Sequence, residues 1–312
     1  MNGVNQAWVS YGYDWGNNQY QYRKSKFIQI LNGIHANGGN SIRIWLHVEG
    51  QTSPKFDSQG YVTGLDNDGT LINELKEYLN IFVFITLWNG AAKGSTHYRL
   101  QGLLTDTRKL QSYINHALIP LVTALKYQPA LGGYDIINEP EGEIIPDQNG
   151  NHCTDTHFLH NSGAGWAGKM YSAHDIQRFI NWQAEAIRHN DGTTLVTVGS
   201  WNPKSNTDQH GGKNLYTDSC LRNAGGKHDN AASYYGLNKP LIIAEFNQVR
   251  GGGWTIDGMF LHAYNHGYAG AWSWHANADG SNTDSFTTQE KGMHALKGKT
   301  DTSRGGLVNF HI

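Results

Sequence analysis

The sequence is poor in charge and in long apolar runs, and each shortage excludes a class of protein. Charged residues make up 16% of the 312 residues and the formal net charge is −2, which argues against a nucleic-acid footprint or a basic membrane surface. The longest apolar run, IFVFI at 81–85, falls far short of the ~20 residues of a membrane-spanning helix. The first ten residues, MNGVNQAWVS, have neither the basic start nor the apolar segment of a secretory leader. We therefore expect no nucleic-acid partner and no membrane partner.

Cysteine is scarce as well. Cys153 and Cys220 are the two cysteines of the chain, and both lie in polar, loop-like segments. They can form a disulfide, which would favour an oxidising compartment, or remain two free thiols. If they are bridged, their Cα atoms should lie roughly 4.4–6.8 Å apart.

Aromatic side chains and glycine are abundant. The chain has 10 Trp, 16 Tyr and 38 Gly. A chain rich in Trp, Tyr, Asn and His and poor in charge suits a neutral polar ligand. Sugars are the obvious class, because pyranose rings offer apolar C–H faces and hydroxyl edges. Any single tryptophan can equally be a core residue.

Strand-like and helix-like segments alternate along the chain. The predicted strands are 3–10, 41–48, 81–88, 131–138, 194–201, 240–246 and 270–276. The predicted helices are 22–38, 70–80, 109–128, 174–189, 254–267 and 285–296. This alternation indicates a parallel sheet covered by helices, either a (β/α)8 barrel or a doubly wound open sheet. No predicted strand leads into a glycine-rich dinucleotide fingerprint or a P-loop.

Polar and aromatic side chains stand at the carboxyl ends of six predicted strands. They are Arg43 and His47, Trp88 and Asn89, Asn138 and Glu139, Ser200 to Asn202, Glu245 to Asn247, and Trp274 with His275. Functional side chains spread over so many strand ends are typical of the top face of a barrel. The sequence therefore predicts a single (β/α)8 TIM-barrel domain over residues 1–312.

Two glutamates, Glu139 and Glu245, each follow an apolar strand. At such a place a carboxyl group is partly desolvated yet reaches a cleft, and Pro140 ends the first strand because it has no N–H for the ladder. Two carboxylates about 5–5.5 Å apart are the arrangement of a retaining glycosidase. Either glutamate alone could be a solvated loop carboxylate or an ion-pair partner. The interpretation depends on their combination with Arg43 and the tryptophans.

Arg43 lies inside an apolar strand, where an unpaired charge costs free energy. We expect it to pair with Glu245 at the barrel mouth and thereby to lower the pKa of that glutamate. The alternative is a structural ion pair with Asp135 or another acid.

The stretches NEP, IIAEF and AWSW, within a wider run that includes GGNSIRIWLHVEG and FITLWNGA, resemble the clan A retaining glycoside hydrolases. The likeness is to family 5, and specifically to its endo-β-1,4-mannanases of the animal digestive type, over most of the chain. It implies retaining endo-hydrolysis of β-1,4-mannosidic bonds in mannan, galactomannan or glucomannan. It implies no cofactor and no metal, and we expect a secreted monomer.

The resemblance also implies roles for individual residues. Glu139 would be the acid/base and Glu245 the nucleophile, with Arg43 supporting the nucleophile. Asn138 would bind the 2-hydroxyl of the sugar in subsite −1, and Trp274 would form the floor of that subsite. Three further residues fall at positions that would line the cleft: His47, Trp88 and Trp201.

The chain departs from the family pattern in three places. No strand-like run occurs between Trp201 and Pro240, where the family has a sixth strand bearing a His and a Tyr beside the catalytic pair. The segment ELKEYLNIFVFI joins a helix to a strand with almost no loop, although about 2–6 residues are usual. The chain also starts directly on its first strand, without the family's hairpin. We therefore predict a barrel that lacks its sixth strand and exposes two edges.

Two alternative functions stay open from the sequence. One is an endo-β-1,4-glucanase of the same family, because gluco- and manno-configured sugars differ only at C2. The other is a catalytically impaired barrel that binds glycans or serves as a minimised scaffold, because the missing segment carries groups that orient Glu245.

Overall fold

Seven parallel strands form the central sheet. The structure, a computed structural model, describes residues 1–65, 81–90, 94–168, 171–201, 203–209, 211–224 and 241–299. In sheet order the strands are β7 (Leu195–Gly199), β6 (Leu131–Asn138), β5 (Phe82–Asn89), β2 (Ser41–Val48), β1 (Asn2–Gln6), β9 (Gly270–Ser273) and β8 (Ile242–Phe246). A separate antiparallel pair consists of β3 (Lys55–Phe56) and β4 (Val62–Gly64).

Helices surround this sheet. They are α1 (Lys24–Ala36), α2 (His97–Thr105), α3 (Thr107–Tyr113), α4 (Ile119–Leu125), α5 (Ala173–Asn190), α6 (Asp218–Asn223), α7 (Ile256–Asn265) and α8 (Phe286–Ala295). Five of these helices are capped at the N-terminus by a side-chain oxygen that accepts a hydrogen bond from a backbone N–H of the first turn. The capping residues are Asp106, Ser172, Thr217, Thr255 and Ser285. Within the described ranges, no helix is both long and apolar enough to cross a membrane.

The predicted helix 109–128 is present but irregular. α3 passes into a π-helical turn, Ile114–Leu118, and then into α4. Pro120 near the start of α4 has no N–H to donate, and the π turn before it accommodates the missing hydrogen bond. The other predicted helices are confirmed within a few residues, except 70–80, which lies outside the described residues. Helices α2 and α6 and the β3–β4 pair were not predicted.

The sheet curls around Arg43. In the sheet order, β6 and β8 are five strand positions apart, which in a flat sheet would be about 24 Å. Nevertheless, the Arg43 guanidinium on β2 hydrogen-bonds both Asp135 on β6 and Glu245 on β8. Both strands therefore curve toward one central space, which confirms the barrel and excludes the open doubly wound sheet.

The edges of the curled sheet are β7 and β8. Residues of both strands are half-buried or exposed, whereas every residue of β2 is buried. In the part of the chain that the structure describes, no strand lies between these edges. The sixth barrel strand would fall between Trp201 and Pro240, and residues 225–240 of that stretch are outside the described part. The seven described strands thus form a curled parallel sheet, as expected of a TIM barrel, and the absence of a sixth strand stays a prediction.

A disulfide joins the loop after β6 to helix α6. The Cα atoms of Cys153 and Cys220 are 5.1 Å apart, inside the predicted range. The side-chain amide of Gln177 on α5 donates to the carbonyls of Cys153 and Leu215 at 2.7 and 2.8 Å. These bonds hold Cys153 and the segment before α6 against α5.

Replacing both cysteines by serine should lower the free energy of unfolding by about 4 kcal/mol, because the bridge closes a 67-residue separation and so restricts the unfolded chain. Urea unfolding measures the loss. Reduced, unmutated protein is the control and should unfold at the same midpoint as the variant. A double-serine variant as stable as the oxidised parent would contradict the prediction.

Candidate active site

A buried guanidinium organises the mouth of the barrel. Arg43 is 1% exposed, and its Nη1 donates to Glu245 Oε1 at 2.6 Å and to Asn5 Oδ1 at 3.2 Å. Its Nη2 donates to Asp135 Oδ2 at 2.5 Å and to Asn138 Oδ1 at 2.8 Å. Both partners considered from the sequence, Glu245 and Asp135, are therefore correct, and one arginine joins β1, β6 and β8.

Glu245 lies near the end of β8, and its side chain is 27% exposed. Burial raises the pKa of its carboxyl group, and the charge and hydrogen bond of Arg43 oppose that rise without cancelling it. Arg43 thus acts in the predicted direction, but the predicted net lowering of the pKa is wrong. Desolvation by the surrounding protein outweighs the single cation.

Glu139 has the more strongly perturbed carboxyl group. Burial raises its pKa to about 8, the negative charge of Glu245 adds to the rise, and Arg43 opposes it. The backbone of Glu139 is left-handed, with φ 48°, and its N–H donates to the Gly199 carbonyl at 2.6 Å. Since Pro140 follows, the chain turns away from β6 at this residue and leaves Glu139 half-buried at the mouth.

Asn138, the last residue of β6, is held at both ends of its amide. Its Oδ1 accepts from Arg43 and its Nδ2 donates to Asn89 Oδ1 at 3.1 Å. The amide therefore has a defined orientation beside the two glutamates.

Aromatic rings form one wall of the mouth. Trp274 contacts Trp8 and Trp45 edge to face, with ring centroids 5.7 Å apart in both pairs, and Tyr11 packs on Trp8. A cleft of about 460 Å³ lies beside them, lined also by His275 and the loop 279–283. The half-buried Trp274 lines this cleft, and its role as the floor of a sugar subsite stays a prediction.

Trp272 shares the inner face of β9 with Trp274 but lies deeper. It is 3% exposed, its ring lies 4.8 Å from Phe84, and its Nε1 donates to Ser41 Oγ at 2.8 Å. The prediction that Trp272 packs inside the barrel is confirmed.

His47 does not line the cleft, contrary to prediction. It is fully buried, and its Nδ1 lies 3.0 Å from Ser53 Oγ. Between Trp45 and Val48, β2 has one residue more than its partner β5. This bulge reverses the alternation of side chains, so Val48 joins Trp45 on the inner face and His47 turns outward.

The prediction that Trp88 lines the cleft is also wrong. Its ring packs on Tyr113 of α3 at 5.1 Å and on Phe179 of α5, which places it among the helices. Thr86 and Asn89, three residues apart, both contact the inner network. The alternation therefore breaks between them and turns Trp88 away from the cleft.

Trp201 is 42% exposed and stacks obliquely on Trp166, with ring centroids 4.9 Å apart. It follows the end of β7, at the same end of the barrel as the two glutamates. The structure thus places Trp201 on the mouth side, as predicted.

A buried histidine between two carboxylates was missed from the sequence. His97 on α2 is 2% exposed, with Nδ1 3.0 Å from Glu49 and Nε2 2.9 Å from Glu143. Burial alone lowers the pKa of His97, but the hydrogen bonds and charges of Glu143 and Glu49 outweigh it and raise the pKa to about 9. Because its three members are far apart in the chain, no local motif indicates this cluster.

Glu141 was also missed. It is fully buried and accepts four hydrogen bonds, two of them from Ser200 Oγ at 2.6 Å and from the Trp201 N–H at 2.9 Å. The available signal was the spacing of glutamates at 139, 141 and 143 in NEPEGE.

Comparisons with known proteins identify close relatives. A mannan endo-1,4-beta-mannosidase of Mytilus edulis is 50% identical over 344 residues, covering 100% of this chain and 91% of that protein. A mannan endo-1,4-beta-mannosidase of Cryptopygus antarcticus is 41% identical, covering 100% and 90%. No family model matches the chain. The first alignment is longer than the 312 residues of this chain, so that relative has positions without a counterpart here.

Solved structures of the same two relatives superpose closely. The beta-mannanase of blue mussel gives a TM-score of 0.88 at 49% identity, over 96% of this chain and 92% of that one. The beta-1,4-D-mannanase of Cryptopygus antarcticus gives 0.90 at 42% identity, over 96% and 91%. Similarity of this degree over nearly whole chains establishes a shared family.

His97→Gln should destabilise the protein more at pH 7 than at pH 10. The folded-state pKa of about 9 lies above the ordinary 6.5, so stabilisation by the protonated ring is complete below about 6.5 and is lost as the pH rises through about 9. Urea unfolding gives the free energy of unfolding of the parent and the variant at both pH values. Titrating groups that the two proteins share contribute equally to both and cancel when one is subtracted from the other. An equal or larger difference at pH 10 would show that the charge of His97 does not stabilise the fold.

Proposed function

The chain belongs to the animal endo-1,4-β-mannanases of glycoside hydrolase family 5, and from that premise we propose that Glu139 and Glu245 are the acid/base and the nucleophile of a retaining reaction. The reaction is endo-hydrolysis of β-1,4-mannosidic bonds in mannan. The glucanase alternative is not favoured, because both curated relatives are named as mannan hydrolases.

The different surroundings of the two carboxyl groups carry this assignment. Glu245 accepts a 2.6 Å hydrogen bond from Arg43, whereas burial and the charge of Glu245 raise the pKa of Glu139 to about 8. Burial raises the pKa of Glu245 as well, but the guanidinium of Arg43 stabilises its ionised form. We therefore assign the shared negative charge to Glu245 and the proton to Glu139. A general acid and a nucleophile need these opposite protonation states.

The two-step reaction follows from these states. Glu139 donates its proton to the glycosidic oxygen while Glu245 attacks the anomeric carbon, which releases one part of the chain and leaves a covalent glycosyl-enzyme. Glu139, now ionised, then takes a proton from the water that displaces Glu245, and the anomeric configuration is retained. This mechanism requires the two carboxyl groups to lie about 5–5.5 Å apart, a separation that stays a prediction.

Neighbouring residues bind the sugar in this proposal. Asn138, oriented by Arg43 and Asn89, would hydrogen-bond the 2-hydroxyl of the sugar in subsite −1. Trp274 would stack beneath that sugar, and the exposed Trp201 would contact the polysaccharide at another part of the mouth. His47 and Trp88 have no part, because both are buried among the helices.

We also propose that the protein acts outside the cell. The Cys153–Cys220 disulfide supports this location, because disulfides persist in oxidising compartments. We propose a monomer as well, and size-exclusion chromatography with light scattering tests this.

Glu245→Ala and Glu139→Ala should both abolish turnover of mannan, but through different steps. Without Glu245 no glycosyl-enzyme forms, and added azide or formate should yield inverted product. Without Glu139 a substrate with a good leaving group should still glycosylate the enzyme, and azide should release product with retention. Aryl mannoside hydrolysis with and without azide, with the product anomer read by NMR, distinguishes the two. Exchanged behaviours would reverse the roles, and an inactive parent protein that still binds mannan would favour the binding-only barrel.

For unmutated protein, kcat/KM on mannotetraose should fall as the pH rises above about 8, because Glu139 must be protonated and its pKa is about 8. This limb reports the free enzyme. The control is glycosylation of Glu139→Ala by an activated aryl mannoside, which should lack the limb. The same alkaline limb in both proteins would assign it to another group.

A further inference from the structure

The loop that carries Glu139 has glutamates at every second position. Glu139 is half-buried, whereas Glu141 and Glu143 are fully buried. Burying a carboxylate costs free energy unless the group is hydrogen-bonded or paired, so each of these two side chains needs polar partners. Their contacts run to opposite sides of the loop.

Glu141 joins the loop to the segment after β7. Its Oε1 accepts from Ser200 Oγ at 2.6 Å, from Ser205 Oγ at 2.7 Å and from Tyr216 Oη at 2.9 Å. Its Oε2 accepts from the Trp201 N–H at 2.9 Å. Four donors converge on one carboxylate, which uses the full acceptor capacity of such a group.

Glu143 joins the same loop to the segments after β2 and β5. Its Oε1 lies 2.9 Å from Nε2 of His97, and Nδ1 of that ring lies 3.0 Å from Glu49. Glu49, directly after β2, also accepts the Gly94 N–H at 2.7 and 2.9 Å. A protonated imidazole between two carboxylates is a charge-assisted link at both of its nitrogens.

The loop needs such anchors because its own backbone is strained. Glu139 has φ 48°, a left-handed conformation that non-glycine residues adopt only when the surroundings impose it. The three residues after it form a short 3₁₀ turn, Pro140–Gly142. The position of the Glu139 carboxyl group therefore depends on what holds residues 141 and 143.

We propose that Glu141 and Glu143 are positioning residues, which hold the loop from both sides so that the Glu139 carboxyl group stays within reach of the glycosidic oxygen. Neither touches substrate. The inference rests on the proposed role of Glu139 as the acid/base.

Loss of an anchor should impair proton donation more than nucleophilic attack. A displaced acid matters for a sugar leaving group, which must be protonated, and matters little for a dinitrophenolate, which leaves without help. A misplacement of about 1 Å can lower a rate by about 100-fold. The ratio of activities on the two kinds of substrate thus reports the placement of Glu139, whereas a general loss of folded protein lowers both alike.

The experiment compares Glu141→Gln and Glu143→Gln with the parent on mannotetraose and on 2,4-dinitrophenyl β-mannobioside. We expect kcat/KM on mannotetraose to fall about 10- to 100-fold, and formation of the glycosyl-enzyme from the activated substrate to fall less than about threefold. The charges that act on Glu139 are those of Glu245, Arg43 and Glu141, and the charge of Glu141 raises the pKa of Glu139. In Glu141→Gln, the alkaline limb of kcat/KM should therefore also move to lower pH.

Asp191→Asn is the matched control. Asp191 is equally buried and accepts hydrogen bonds from Thr193 and Thr194, but it precedes β7, at the opposite end of the barrel from the glutamates. This variant should lose stability and keep the parent's ratio of the two activities. If Glu141→Gln or Glu143→Gln does not fold, Ser205→Ala and Tyr216→Phe each remove one donor to Glu141 and should change the ratio in the same direction by a smaller factor.

Each outcome decides between the two proposals. Equal losses on both substrates in the anchor variants would overturn the positioning role. If Glu139→Ala itself shows equal losses on both substrates, the acid/base assignment fails, and this inference fails with it for that separate reason. Glu139→Ala alone could lose more activity on mannotetraose than on the activated substrate, while Glu141→Gln and Glu143→Gln do not. That result leaves the proposed function intact and refutes only the positioning role.

Discussion

The burial of Arg43 is the constraint on which the rest of the mouth depends. A guanidinium that is almost wholly removed from water needs partners for its donors, since an unpaired buried charge costs several kcal/mol. Its partners come from β1, β6 and β8, so the sheet must curl until these strands surround one point. Gly199 on β7 fits this arrangement because a Cβ there would lie 2.7 Å from Arg43 Nη2. Arg43 also makes the surroundings of the two glutamates different, because it hydrogen-bonds the carboxylate of Glu245 directly.

Irregular strand ends make the site. Near the mouth, β2 and β6 each contain one residue more than a neighbouring strand, and Val48 and Glu139 have positive φ angles of 57° and 48°. Such features re-aim side chains and tend to occur beside active sites. Here they turn Asn138 inward beside Arg43 and turn the chain away from β6 at Glu139. Regular strands would have brought His47 inward and left Asn138 facing the helices.

Within the part of the chain that the structure describes, the contacts of Arg43 and Glu139 come from the seven strands of the sheet and the segments that follow them. β1, β2, β5, β6, β8 and β9 supply the network, the amide pair and the aromatic wall. The Cys153–Cys220 disulfide and the four donors to Glu141 tie the segment after β7 to the loop after β6. Covalent and polar links thus join those two segments.

The sequence by itself determined the alternation of strands and helices and the strand ends at which polar residues gather, and it singled out Glu139, Glu245 and Arg43 as candidates. These follow from short-range patterns, because side-chain period and strand length are local properties. Only the tertiary structure decided that Arg43 binds both Asp135 and Glu245, that the pKa of Glu245 is raised, and that His47 and Trp88 lie among the helices. It alone showed how Glu141 and Glu143 anchor their loop. A bulge exists only relative to a neighbouring strand, and desolvation is a sum over all the atoms around a group, so neither can be found from residues adjacent in the chain.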